Sequence, residues 1–429
     1  GKVTIRVRPI LPRDPVSFGE SLTIPRDGLW LAVVAFVIAG VLWVTSRFSR
    51  IGLVTRAAAE NEKGAMLLGF SPDRLAAGGF VVASLASGLV GILAAPMIQL
   101  DAGVYTFGYL VPALGAALIG RFRNIWPTVI AGMAIGMVQS TFTKLQGDLS
   151  WFPDYGARAG LPFLVIIVAM VAFGEALPGR GEVDRVRLAS VPASRVTPAR
   201  VIVPAALTVG ALVWFGPLWR GAIMTSIIAS VVALSFVVLT GFGGQTSLAQ
   251  LSFAGIAGFA LSRLAMRWGV PFPVAPLLAA SMAAVFGVLV GFPALRIRGT
   301  NLAIVTLAGG VAISEFVFKN PSVVGDGSSG GATVPNPSIG GWDVGLVVGS
   351  ESSRPLFGIF LLVVLVVLCL GVANLRRSAT GRRLLAIRSN ERAASAIGID
   401  VAMGKVSMFA ISGFIAGLGG CLIAYRFGS

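Results

Sequence analysis

PLFGIFLLVVLVVLCLGVANLRRSATGRRLLAIRSNERAASAIGIDVAMGKVSMFAISGFIAGLGGCLIAY, from Pro355 to Tyr425, sets out the plan of the whole chain. The apolar run 355–374 has the length of about 20 residues that carries a helix across a bilayer core. A charged loop, 375–404, follows, and then a second apolar run, 405–427. Inside the loop, GRRLLAIRSNERAASAIG (Gly381 to Gly398) has an earlier counterpart, GLVTRAAAENEKGAMLLG (Gly52 to Gly69). Gly52, Ala57, Asn61, Glu62, Ala65 and Gly69 recur as Gly381, Ala386, Asn390, Glu391, Ala394 and Gly398. At the same offset, Phe80, Gly88, Leu89, Gly91, Leu93 and Ala95 meet Phe409, Gly417, Leu418, Gly420, Leu422 and Ala424. A polar helix held at the edge of a membrane span is present twice.

Working outward, apolar runs fall near 29–46, 75–98, 106–120, 125–144, 160–176, 200–216, 221–241, 247–265, 273–293, 301–319, 355–374 and 405–427. The reading is an all-α, polytopic transmembrane helical bundle of about twelve segments. Runs 106–120 and 200–216 are short enough for one of them to be tilted or re-entrant. Composition agrees. Of 429 residues 55% are hydrophobic and 12% charged, with mean hydropathy +0.87, whereas a soluble domain carries about a quarter charged residues. The 55 glycines suit close helix approach in a membrane.

The formal net charge of +16 would suggest nucleic acid in a soluble protein. Here most basic residues lie in short loops between spans, so no nucleic-acid partner is expected. If every run crosses, loops 47–74, 121–124, 177–199, 242–246, 294–300 and 375–404 share one side. Their arginines place that side in the cytoplasm, in contact with anionic membrane lipid. Cys369 and Cys421 both lie in apolar runs, which argues against a disulfide framework or a thiolate metal site. The chain has no His, the commonest metal ligand and general base. No G-x-x-x-x-G-K-[ST] loop occurs, so phosphates have no lysine cradle. Energy must come from a partner chain or from an ion gradient. Enzyme chemistry finds no foothold: the one G-x-S-x-G, Gly327 to Gly331, lacks both the strand-turn-helix context and a His to activate its serine.

Residues 1–27, with Val3 to Ile10 alternating and Pro9, Pro12, Pro15 and Pro25, read as an extracytoplasmic hairpin. The stretch 177–199, rich in Pro, Ser and mixed charge, reads as a cytoplasmic linker between a unit at 28–176 and a unit at 200–429. The repeat sits near the start of the first unit and at the end of the second. That placement predicts a first unit without its opening spans and a second without its closing ones.

In each repeat the Asn-Glu pair is followed seven residues after Glu by Gly, the spacing that ends a helix of about two turns. Asn61, Glu62 and Gly69, with Asn390, Glu391 and Gly398, therefore form two short helices on the cytoplasmic surface, shaped to enter a cleft of a soluble partner. Charged side chains in the spans are sparse. Glu315, Glu175 and Asp101 sit near run ends, where an interfacial role outweighs an ion pathway. Gln139, Ser140, Thr141, Gln245, Ser247, Gln250 and Asn301 either line a translocation path or join helices.

On these residues the chain resembles the permeases of ATP-binding-cassette importers, specifically the branched-chain amino-acid class, whose coupling loops carry the repeated pattern. Residues 1–178 resemble the C-terminal part of the H-type permease and 200–429 the N-terminal part of the M-type. LTGFGGQTSLAQLSFAGI (Leu239 to Ile256), GFPALRIRGTNLAIVTLA (Gly291 to Ala308) and GDGSSGG (Gly325 to Gly331) carry the second match. Ala249 and Gln250 stand where the M-type pattern usually has Gly and His. The resemblance implies two cytoplasmic ATPase subunits, which hold the ATP and Mg, and an extracytoplasmic solute-binding protein. It implies no cofactor in this chain. Arg56, Lys63, Arg388 and Arg392 would then offer charge to the ATPase surface. The alternative is an ion-coupled secondary transporter with the repeated loops as gates.

Overall fold

The computed structural model describes residues 11–12, 14–18, 22–97, 108–148, 157–172, 196–295, 300–318, 320, 334–339, 342–346 and 353–428. Val3–Ile10, Asp101, Glu175, Gly325–Gly331 and most of 177–199 lie outside the described residues.

Every one of the twelve apolar runs contains a helix. The elements are β1 (Pro15–Phe18), β2 (Leu22–Pro25), α1 (Arg26–Phe48), α2 (Arg50–Glu60), α3 (Glu62–Leu67), α4 (Pro72–Ala94), α5 (Leu110–Ile119), α6 (Ile125–Asp148) and α7 (Ala157–Ala172). Then come α8 (Pro198–Trp214), α9 (Pro217–Phe236), α10 (Gln250–Met266), α11 (Val274–Ala294), α12 (Thr300–Ile313), β3 (Ser338–Ile339) and β4 (Trp342–Asp343). The chain continues through α13 (Pro355–Arg377), α14 (Ala379–Ser389), α15 (Glu391–Ala396) and α16 (Val401–Phe427). The strands form two small antiparallel hairpins, with Pro15 opposite Pro25 in the first and Ser338 opposite Asp343 in the second. The first hairpin lies within the stretch read as extended.

Among the described residues seven helices are long and apolar enough to cross a membrane. They are Arg26–Phe48, Pro72–Met97, Ile125–Phe142, Pro217–Phe242, Val274–Phe292, Pro355–Arg377 and Val401–Phe427. Leu110–Ile119, Pro198–Trp214 and Leu302–Phe318 are apolar but shorter, and two of these three are the runs expected to be short. The chain is a multi-pass helical membrane protein. It divides into two compact units, Gly1–Thr141 and Phe142–Ser429, so α7 packs with the second, where it lies against α12.

In the second unit α16 is the central helix, packed on α11, α10 and α9. Its glycines explain the closeness. A Cβ on Gly413 would stand 2.9 Å from the Ala283 carbonyl oxygen, and one on Gly417 would stand 2.7 Å from the Ala283 Cβ. On Gly420 it would fall on the Ala254 carbonyl. Lipid tails are as apolar as leucine, so helices in a bilayer gain from backbone proximity and dispersion rather than from leaving water. Ser412 on α16 adds a buried hydrogen bond, donating to the Ser235 carbonyl of α9 at 2.8 Å.

Helix α9 does not end at Phe236. It continues as a π-helical turn, Val237–Phe242, and then breaks at Gly243-Gly244 before α10. Val238, Leu239 and Phe242 of this turn form a separate small core with Leu384 of α14 and Met408 and Phe409 of α16. That core ties α14 to the spans.

Candidate functional site

The two repeated loops fold alike, cap for cap. Ser49 opens α2, its side chain accepting from the Gly52 N–H at 3.0 Å; Ser378 opens α14 and accepts from Gly381 at 3.2 Å. Each loop helix turns sharply off the preceding span. A Cβ at Gly52 would fall on the Thr45 carbonyl and one at Gly381 on the Leu375 carbonyl, so neither position admits a side chain.

Asn61 and Asn390 are hinges between two helices. Both have extended backbone, φ −148° and −162°. The backbone N–H of each donates back to the helix before it, to Ala57 and Ala386 at 2.9 and 3.1 Å. The side-chain oxygen of each caps the helix after it. Asn61 Oδ1 accepts from Gly64 at 2.9 Å; Asn390 Oδ1 accepts from Arg392 and Ala393 at 3.0 and 3.1 Å. Glu62 and Glu391 follow directly, where a carboxylate meets the positive end of the helix dipole.

The short helices α3 and α15 end in the same way. Gly69 and Gly398 both adopt φ +84°, a left-handed conformation that glycine takes without penalty. The Gly69 and Gly398 N–H groups donate to Met66 and Ser395, both at 3.0 Å. The next N–H groups, of Phe70 and Ile399, reach back to Ala65 and Ala394 at 3.1 and 3.0 Å. These paired bonds form the Schellman motif. Ala65 and Ala394 are buried beneath the two helices, while Leu68 and Ile397, at matching positions, are 75% and 74% exposed. Each loop thus presents a short, capped helix with an apolar knob outward at this matching position, and the first loop also exposes Met66 and Leu67. Ser71 and Asp400 then cap the next span, accepting from Arg74 and Met403.

The side chains around these helices differ. Arg56, Lys63 and Arg392 are exposed. Arg388 is half-buried and turns inward, its Nη1 donating to the Gly241 carbonyl at 2.8 Å. That carbonyl lies at the end of the π-helical turn, where helix carbonyls lack partners within the helix. Glu391 pairs with Lys405 Nζ at 2.9 Å, and the Lys405 side chain is 2% exposed. Sequence reasoning missed Lys405, which stands within a run read as a span. A lysine at the start of an otherwise apolar run was the available signal.

Gln245, Ser247 and Gln250 all lie between the π-helical turn and the first residue of α10, and all three are buried. Ser247 Oγ accepts from the Ala249 N–H at 3.3 Å, and Thr306 Oγ1 of α12 accepts from Leu248 at 3.0 Å. Gln250 is fully buried, and neither of its amide atoms has a hydrogen-bond partner among the described residues. Asn301 is the second residue of α12; its side chain lies outside the described residues. The structure therefore brings Gln245, Ser247 and Gln250 together with the second loop, through Arg388 and Gly241. Gln139, Ser140 and Thr141 are on α6 in a different part of the chain, where Thr141 Oγ1 donates to the Met137 carbonyl of its own helix. No His/Cys/Asp/Glu group able to hold a metal occurs among the described residues.

Residues 8–172 and 220–429 match the family described as branched-chain amino acid transport system / permease component. The chain belongs to this permease family. Over 243 residues it is 33% identical to the high-affinity branched-chain amino acid transport system permease protein LivM of Escherichia coli, covering 52% of this chain and 57% of that protein. Over 170 residues it is 26% identical to the corresponding LivH of Salmonella typhimurium, covering 40% of this chain and 52% of that one. The permease chain spans about half the length of the curated relatives it matches. Similarity to both permease types within one chain is consistent with a fused H-type and M-type permease. No solved structure matches.

Proposed function

We propose that this chain is the transmembrane permease of an ATP-driven importer in a bacterial inner membrane, carrying branched-chain amino acids or related small polar solutes. Two cytoplasmic ATPase subunits bind ATP and Mg and grip α3 and α15, and an extracytoplasmic binding protein delivers the solute. The observation that carries this reading is the duplicated loop. Two short helices with the same caps, the same left-handed stop and the same exposed knob are the surface a pair of similar ATPases needs. Permease names borne by the relatives supply the solute class.

Movement between inward and outward states would follow from ATPase closure pulling the two helices together. A ligand or partner shifts such an equilibrium only by binding one state better than the other. The test uses the full-length permease reconstituted with its ATPases and binding protein. Solute-stimulated ATP hydrolysis is expected in the native assembly and is lost on Glu62→Ala combined with Glu391→Ala. Uptake that persists in the double variant under an applied proton gradient would instead favour a secondary transporter and overturn this reading.

A further inference from the structure

We propose that the second loop alone works as a lever on the Leu239–Gln250 segment, with Arg388 and Lys405 as its positioning residues; this inference rests on the importer reading above. Four observations in the second loop converge. Arg388 holds the Gly241 carbonyl at 2.8 Å. Gly244, at φ +65°, leaves the room that Arg388 fills: a Cβ there would stand 3.0 Å from Arg388 Cγ. Leu384 of α14 is buried in one small core with Val238, Leu239 and Phe242. Lys405 pairs with Glu391 and so fixes the start of α15 to α16.

The first loop has none of these groups. At the same offset Leu384, Arg388, Lys405 and Met408 fall on Thr55, Ala59, Ala76 and Gly79, all four of them exposed. The backbone caps and Glu62 are kept, while the side chains matching Leu384, Arg388, Lys405 and Met408 are cut short. Shape without ties suits a grip; shape with ties suits a drive rod. A displacement of α15 by a partner is passed through the Arg388 hydrogen bond to the π-helical turn, three residues before Gly244. From there it reaches the buried Gln245–Gln250 stretch. A buried lysine without its carboxylate is costly, so the Glu391–Lys405 pair also keeps α15 from moving independently of α16.

The experiment measures leucine uptake and ATP hydrolysis together in proteoliposomes holding the full-length permease, its ATPases and its binding protein. Arg388→Met is expected to lower leucine moved per ATP by about tenfold, the scale of one hydrogen bond to a charged group. The paired change Glu391→Met with Lys405→Met, which leaves no lone buried charge and so protects folding, is expected to do the same. Arg388→Lys keeps a donor for the Gly241 carbonyl and should stay within about twofold of native. Ala59→Ser and Ala76→Ser, at the matching positions of the first loop, should also stay within about twofold, as exposed surface changes do. Ratios within about twofold of native for Arg388→Met and for the double methionine variant, on that same scale, overturn the lever while leaving the importer reading intact. Equal losses from the first-loop changes also overturn it. A native assembly whose ATP hydrolysis ignores leucine overturns the branched-chain importer reading and the lever with it.

Discussion

Asn61 and Asn390 each do two jobs with one residue, closing one helix through the backbone and opening the next through the side chain. Replacing either by Ala removes the cap at a cost of about 1 kcal/mol, and Ser, which also caps, restores most of it. Circular dichroism melts of the purified permease in detergent check this: a lower midpoint for Asn390→Ala and recovery for Asn390→Ser. Gly69 and Gly398 carry a different constraint. An Ala at φ +84° costs about 1 kcal/mol or more, so Gly398→Ala is expected to lower the midpoint by a similar amount. At this scale much of the site was legible. Asn, Glu and Gly at fixed spacing define a capped two-turn helix because capping is a local reaction between a side chain and N–H groups two or three residues away. Arg388 was not legible. Its partner carbonyl, Gly241, is far along the chain, and nothing in an arginine's neighbours in sequence says whether it points to solvent or to a distant helix end.

Helix α16 shows what close packing demands of an element. Its glycines at 413, 417 and 420 lie where the backbones of α11 and α10 pass, and Gly419 faces Val232 of α9. Gly420→Leu places a branched side chain on the Ala254 carbonyl and must separate the helices, so loss of the monodisperse peak in size-exclusion chromatography is expected. Gly210→Leu on α8, where a Cβ meets nothing within 4 Å, is expected to leave that peak unchanged. Helix existence was legible here, because apolar runs of spanning length have few other fates in a bilayer. Two features were not. The π-helical turn at Val237–Phe242 has the same apolar composition as the α-helix it extends, and one added residue in a turn leaves no trace in periodicity. Nor does run length fix helix length: the run 247–265 yields α10, which begins only at Gln250 and is 17 residues long, because the stretch before it carries the break after the π-helical turn.

On the scale of the molecule, the break in sequence character and the break in packing differ. The linker read from composition lies at 177–199, whereas packing separates Gly1–Thr141 from Phe142–Ser429. The difference is α7, whose Gly160 accommodates Phe316 beside α12. A chain cut within 177–199 should therefore remain associated, its two pieces co-purifying on a single tag; Gly160→Leu, which collides with the Phe316 ring, should abolish that recovery. Composition suggests a linker at 177–199 because Pro, Ser and mixed charge cannot form a core. It could not show that the last helix before the linker packs beyond it, since α7 and α12 meet only through the fold. The loops at 49–71 and 378–400 have a further consequence. Every bond that sets the shape of their two short helices is made inside the loop itself. A partner that recognises backbone outline meets the same contour twice, so one ATPase gene product used as a homodimer would fit both places. Telling two different ATPases apart would fall to the side chains that change between the copies: Lys63, Gly64, Met66, Leu67 and Leu68 in one short helix, Arg392, Ala393, Ser395, Ala396 and Ile397 in the other.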